Sequence, residues 1–158
     1  MPLISKPTAR RRACLKRGCS PSYRAHQGGL NSKLHTVCDG EGRPIIMLLS
    51  EGQMSDHKGA RLVLDALPPA RNLIADRGYD SAWFREALAA RGIEPCIPSS
   101  RSRKRPYPHD KVLYRQRYKV ENLFAKLTDW RRIATRYDRC AHTFFSAICI
   151  AATVIFWL

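Results

Sequence analysis

Acidic residues are scarce in this chain, and none occurs in Met1–Asn31. Thirteen Asp plus Glu stand against 28 Lys plus Arg, for a formal net charge of +15. A surplus of that size concentrates polyanions at the surface and speeds their capture, so nucleic acid is the expected partner. No Cys-x-x-Cys pair occurs among the six cysteines. Cys14 and Cys19 are close, but no second pair with ligand spacing follows them, which argues against a zinc module. Cys38, Cys96 and Cys149 lie in apolar runs, where a reduced thiol packs as a small hydrophobe, and a reducing cytoplasm fits that usage. No continuous apolar stretch opens the chain, which excludes a secretory signal there. No charged residue occurs from Ala141 to Leu158. That run is at the lower edge of a membrane span, but His142, Thr143, Ser146 and Thr153 punctuate it, so it reads as a core helix apolar nearly all round. No internal repeat is present, which excludes a solenoid.

What is present reads as one domain of ordinary size over 158 residues. Residues 1–27 read as a basic, irregular arm and residues 28–158 as the folded domain. Ser32–Cys38 and Ile45–Leu49 read as strands joined by the turn formers of Asp39–Pro44. A helix over His57–Leu67, capped by Asp56, ends at Pro68-Pro69. Asn72–Ala75 is a short buried strand. Asp80 or Ser81 caps a helix to Ala90 that Arg91-Gly92 terminates. Ile93–Ile97 is a further strand, Ser99–Pro108 a basic loop, and Asp110 starts a long helix reaching at least Leu127. The order of elements gives a mixed α/β layer fold.

Two acids stand out. Asp76 ends the strand Leu73-Ile74-Ala75, at the carboxyl edge where α/β sheets bind ligands. On position alone, a turn acid and a functional acid are equally good readings. On the helix from Asp110, Leu113, Val120, Phe124 and Leu127 form a core stripe, bordered by Tyr114, Arg117, Glu121 and Thr128. Glu121 sits one turn from Arg117, either as an exposed ion pair or as a ligand beside a phosphate-gripping arginine. Lys111, Arg115, Lys119 and Lys126 fall on the far side and, with Arg131 and Arg132, are the candidate DNA-binding cations.

Four ordered blocks carry a family resemblance. Ala75–Ser81 resembles the second-aspartate motif of bacterial insertion-sequence DDE transposases of the IS-four/IS-five type. Tyr114, Arg117 and Glu121 match that group's Tyr, Arg, Glu signature. Gly28–His35 and Trp130–Asp138 are similar to two more of its blocks. The resemblance implies an RNase H-like mixed sheet flanked by helices, DNA cleavage and strand transfer, and two Mg²⁺ (or Mn²⁺) ions on three carboxylates. Two such ions would hold the attacking and leaving oxygens. Asp76 and Glu121 would then be metal ligands, with Tyr114 and Arg117 positioning the transposon end.

The chain departs from that pattern twice. Thr128 stands where the family has Lys. The first aspartate of the family falls shortly before Arg24-Ala25-His26, at Cys19, so the domain is expected to be truncated at its N-terminal strand and inactive alone. The alternative function is a non-catalytic DNA-binding remnant, or a trans-acting partner of an intact transposase. A basic RNA-binding module accounts for the charge but not for the four blocks. The expected partners are transposon-end and target DNA, a second copy, or an upstream-frame transposase. The expected setting is the bacterial cytoplasm, at the nucleoid and not at a membrane.

Overall fold

The computed structural model describes residues 3–5, 8–9 and 32–158. Four strands carry most of the described sheet: β3 (Ser32–Cys38), β4 (Pro44–Glu51), β5 (Asn72–Ala75) and β6 (Glu94–Cys96). Two short strands near the amino end, β1 (Leu3–Ser5) and β2 (Thr8–Ala9), complete it. β4 pairs antiparallel with one edge of β3. β1 and β2 both run antiparallel along the other edge, β1 opposite Thr36–Cys38 and β2 opposite Ser32–Lys33. β5 lies parallel to β1, and β6 parallel to β5. The segment read as an irregular arm therefore contributes two pieces of strand. β1 fills the slot between β3 and β5 and pairs the backbone groups on both sides. Cys14, Cys19, Arg24–His26 and Gly28–Asn31 lie outside the described residues.

Strand periodicity divides the core in two. On one face, Leu34, Cys38, Ile74 and Cys96 meet α4 (Tyr118–Thr128), α5 (Arg131–Thr135) and α6 (Ala141–Phe156). On the other, Val37, Leu73 and Ala75 meet α1 (Asp56–Leu64) and α2 (Ala82–Ala90). Alternating side chains of one strand thus feed opposite layers, the pattern of a sheet covered on both sides. α1 is capped by the Ser55 side chain, not by Asp56; the Asp56 carboxylate instead takes Lys33 at 3.2 Å. Ser81 caps α2 through Phe84 N–H, and Gly92 ends it at φ +69°, a backbone conformation that costs a residue with Cβ energy. In the β3–β4 turn, one Asp39 oxygen accepts from Glu41 and Arg43 N–H at 2.9 Å each. Such an Asx-type closure explains why a five-residue connection holds its register.

The terminal helix departs from the expectation of all-round burial. Phe144, Ile148, Ala151 and Ala152 are buried, whereas Ile150 and Val154 are exposed on the outer face beside Thr143, Ser146 and Thr153. Among the described residues α6 is covered on one side, which leaves part of its apolar surface exposed. Among the described residues, no helix is long and apolar enough to cross a membrane.

Between β3 and α1 the packing is close enough to dictate a residue. His35 is buried, with Nδ1 2.8 Å from the Tyr79 hydroxyl and Nε2 3.0 Å from Ser50 Oγ. A Cβ placed on Gly59 would come within 2.5–2.9 Å of three atoms of that imidazole. The ring is tethered at both nitrogens and has little room to yield. Gly59→Ala is expected to lower the urea midpoint by the equivalent of about 1–3 kcal/mol, the range for overpacking a filled core. An unchanged midpoint would show that the ring moves freely.

Candidate active site

Asp76 leaves β5 at its carboxyl end and opens a 3-10 turn over Arg77–Tyr79. Leu73 and Ala75 face α1 and α2, and Ile74 faces the α4 layer. The period of two carries Asp76 to the same side as Ile74, toward α4. There its carboxylate meets Arg117 Nη1 at 2.9 Å. The other amino group of that guanidinium bonds the Glu121 carboxylate. One arginine therefore joins the strand acid to the helix acid. All three side chains keep partial solvent access, so the site opens outward.

The position of Arg117 depends on a break in what sequence periodicity presents as one helix. Asp110 caps the start, accepting from Val112 and Leu113 N–H at 2.8 and 3.1 Å. The first helix, α3, covers only Lys111–Arg115. Gln116 and Arg117 then bond back three residues, to Leu113 and Tyr114 carbonyls, before α4 begins at Tyr118. This tightened turn sets Arg117 at the start of α4, level with the end of β5. A helical wheel assumes uniform winding and misses such a step. Within α4 the buried set is Val120, Leu123, Phe124 and Leu127, an i, i+3, i+4, i+7 stripe in which Leu123 replaces the expected Leu113.

Tyr114 is half-buried, with the Arg117 guanidinium 5.9 Å from its ring centroid and His109 edge-on at 5.6 Å. Burial pushes its hydroxyl pKa up, so the hydroxyl stays neutral and able to donate a hydrogen bond. Burial works against the charge on Arg117, but Asp76, Tyr114 and Glu121 outweigh it and stabilise the cation.

The expected cationic face is less uniform than the wheel suggests. Lys111, Arg115, Lys126 and Arg131 are exposed. Lys119 is instead half-buried and donates to the Gly40 carbonyl at 2.6 Å, tying α4 to the β3–β4 turn. Arg132 is matched by Asp138 through two bonds at 2.9 and 2.8 Å. The Thr128 hydroxyl donates to the carbonyls of Phe124 and Ala125, both at 2.9 Å, and so is spent on its own helix.

One buried acid was read from the sequence only as a cap. Asp80 is buried, with one carboxylate oxygen 2.8 Å from Arg85 Nε and the other taking Arg103 Nε at 2.9 Å and Ser100 N–H at 2.7 Å. Burial alone would raise its pKa; Arg103, the Ser100 N–H and Arg85 outweigh it and bring it down to about 2. The pairing of an acid with cations 5 and 23 residues away leaves no local pattern to find.

The described residues do not fit a two-ion centre. Asp76 and Glu121 converge on one cation position, and that position is taken by a guanidinium. No group of three His, Cys, Asp or Glu among the described residues could hold a metal. The three-carboxylate set implied by the family resemblance is met by only two acids here, Asp76 and Glu121, among the described residues.

Comparison with known proteins fixes the family. The model of the transposase DDE domain matches residues 11–157. The chain belongs to the transposase DDE domain family. It is 35% identical over 153 residues to a protein assigned as the transposase of insertion sequence element IS402 from Burkholderia cepacia, covering 90% of this chain and 69% of that protein. It is 30% identical over 130 residues to one assigned to IS6501 from Brucella ovis, covering 82% of this chain and 99% of that protein. In fold it resembles a piggyBac transposase synaptic complex with hairpin DNA, with a TM-score of 0.55 at 13% identity over 98% of this chain. A simian T-cell lymphotropic virus intasome gives a TM-score of 0.53 at 14% identity over 96% of this chain. The chain spans about half the length of those two solved chains, at 46% and 54%. The transposase DDE domain assignment places the chain in DNA transposition, and its mixed α/β fold is similar to those of the two solved chains.

The Asp80 cluster gives a pH signature. Its folded pKa lies below that of an unfolded Asp, near 3.9. Its contribution is therefore complete above about pH 4 and drains as pH falls through about 2, on the order of 2 kcal/mol in all. Unfolding free energy measured from pH 5 to pH 2 is expected to fall more steeply in the unaltered protein than in Asp80→Asn. Parallel curves would mean that Asp80 is no better paired in the folded state than in the unfolded one.

Proposed function

We propose that this chain is a DNA-binding transposase domain whose catalytic centre is one carboxylate short, so that it does not complete strand transfer by itself. The arrangement of β1 carries the proposal. In the parallel pairing, Leu3 stands beside Ile74 and Ile4 beside Ala75. Continued by one residue, that register sets Ser5 level with Asp76, where a strand acid would complete a three-carboxylate set. No acid precedes Asp39 anywhere in the sequence. Arg117 bonds both Asp76 and Glu121 and so sets positive charge between the two acids.

On this reading Asp76 and Glu121 are the remaining metal-ligand positions for Mg²⁺ or Mn²⁺, and Arg117 and Tyr114 the groups that hold a DNA end. Lys111, Arg115, Lys126 and Arg131 bind phosphates along the flank of α3–α5. Lys119 and Arg132 serve the fold first. Such a domain would contribute DNA binding beside an intact transposase or a second copy, and would work at the nucleoid.

Two measurements test this. In a strand-transfer assay with Mg²⁺ or Mn²⁺, the unaltered chain is expected to be inert, whereas Ser5→Asp gains metal-dependent nicking that Glu121→Ala removes. Cys19→Asp, the position matched by local sequence, is expected to gain less. Robust joining by the unaltered chain, lost on Glu121→Ala, would overturn the proposal. Binding to duplex DNA should be largely independent of sequence and should weaken with salt, with a log–log slope of about −0.9 per phosphate neutralised. A flat salt response would contradict a phosphate-led interface.

A further inference from the structure

We infer that the loop between β6 and α3, residues 97–110, is a second, pre-shaped phosphate-binding element that holds DNA at the edge of the sheet where Asp76 lies. This inference rests on the DNA-binding reading above and adds a site to it.

The first observation is position. β5 and β6 are parallel, so their carboxyl ends share one edge of the sheet. Asp76 leaves that edge from β5, and the loop leaves it from β6. The far end of the loop is Asp110, the cap of α3, which leads directly to Tyr114 and Arg117. Cys96 Sγ lies 3.4 Å from the Asp110 carbonyl, so the loop returns close to where it began.

The second observation is charge. From Pro95 to His109 the sequence contains Arg101, Arg103, Lys104 and Arg105 and no Asp or Glu. Arg101, Lys104 and Arg105 are exposed.

The third observation separates this loop from an ordinary solvated charge run. Its shape is fixed from within and from below. Tyr107 N–H donates to Ser99 Oγ at 2.7 Å, closing the loop on itself. Arg103 is withdrawn from the surface to Asp80, and Ser100 N–H bonds the same carboxylate. The Tyr107 ring lies against two guanidinia, Arg85 at 4.6 Å and Arg103 at 4.9 Å from its centroid. Asp80 is only four residues beyond Asp76. One buried carboxylate therefore sets the loop relative to the catalytic edge while three neighbouring cations remain outward. A loop already ordered loses little freedom on binding, so its charges count more fully toward affinity.

The test is the salt dependence of duplex-DNA binding by the full chain and by Lys104→Gln, Arg105→Gln and both together. Arg71→Gln is the charge-matched control, exposed and placed before the amino end of β5, at the opposite edge. Each loop variant is expected to make the log–log slope shallower by about 0.9, and the pair by about 1.8, with Arg71→Gln leaving it unchanged. Equal effects from loop and control would overturn the inference and leave only the net charge at work. Loop variants that bind with an unaltered slope would overturn it as well, while the DNA-binding reading stands. No binding by the unaltered chain at low salt would sink that reading, and this one with it. Asp80→Asn adds an independent arm: removing a negative charge should ordinarily strengthen DNA binding, but unpinning the loop is expected to weaken it. Tighter binding by Asp80→Asn would count against the pinned loop.

Discussion

Two ionised carboxylates facing one crevice repel each other unless positive charge lies between them. In this chain Arg117 supplies it, bonding Asp76 at the end of β5 and Glu121 on α4. The arrangement requires the carboxyl end of a buried strand, a helix laid across it, and a tightened turn at Gln116–Arg117 that puts the guanidinium at the junction. The rest of the architecture serves those requirements. The α4 stripe of Val120, Leu123, Phe124 and Leu127 seats the helix on the sheet. Lys119 ties its outer side to the β3–β4 turn. His35, Tyr79 and Ser50 lock the strand layer from the opposite face.

The same edge carries a second acid with a different task. Asp80 is fully desolvated and held by Arg85 and Arg103, so its charge is matched inside the protein. Asp76 keeps solvent access and shares its arginine with another acid. Two aspartates four residues apart are thus divided by environment, one organising the loop after β6 and the other facing the crevice. The loop is held by Arg103 and Ser100 on Asp80, and the phosphate contact proposed above would give that tether a use.

Much of the fold was legible in the sequence. β3 and β5 begin and end where alternation and turn formers put them, and Ser81 and Gly92 bracket α2 as their chemistry predicts. What was not legible depends on contacts between distant residues. The helix break at Arg117 follows from docking against Asp76, and a uniform wheel cannot contain it. Lys119 faces outward on that wheel, yet a turn nearly eighty residues away brings a carbonyl to it. Asp80 looked like a cap because its partners are remote in sequence. β1 was read as irregular because a three-residue strand has no periodicity of its own; the unpaired edges of β3 and β5 define it. Of the candidate site, the identity of Asp76, Arg117 and Glu121 came from motif resemblance, and their convergence on one guanidinium could be seen only in the fold.

We propose that Arg117 meets the charge balance of the crevice and that, among the described residues, one acid too few is present for a two-ion centre. Titration of the chain with Mn²⁺, following loss of the free-ion electron paramagnetic resonance signal, tests it most directly. The account predicts no more than one weakly bound ion per chain, lost on Asp76→Asn or Glu121→Gln, with a second ion gained only in Ser5→Asp. Two tightly bound ions in the unaltered chain would contradict it.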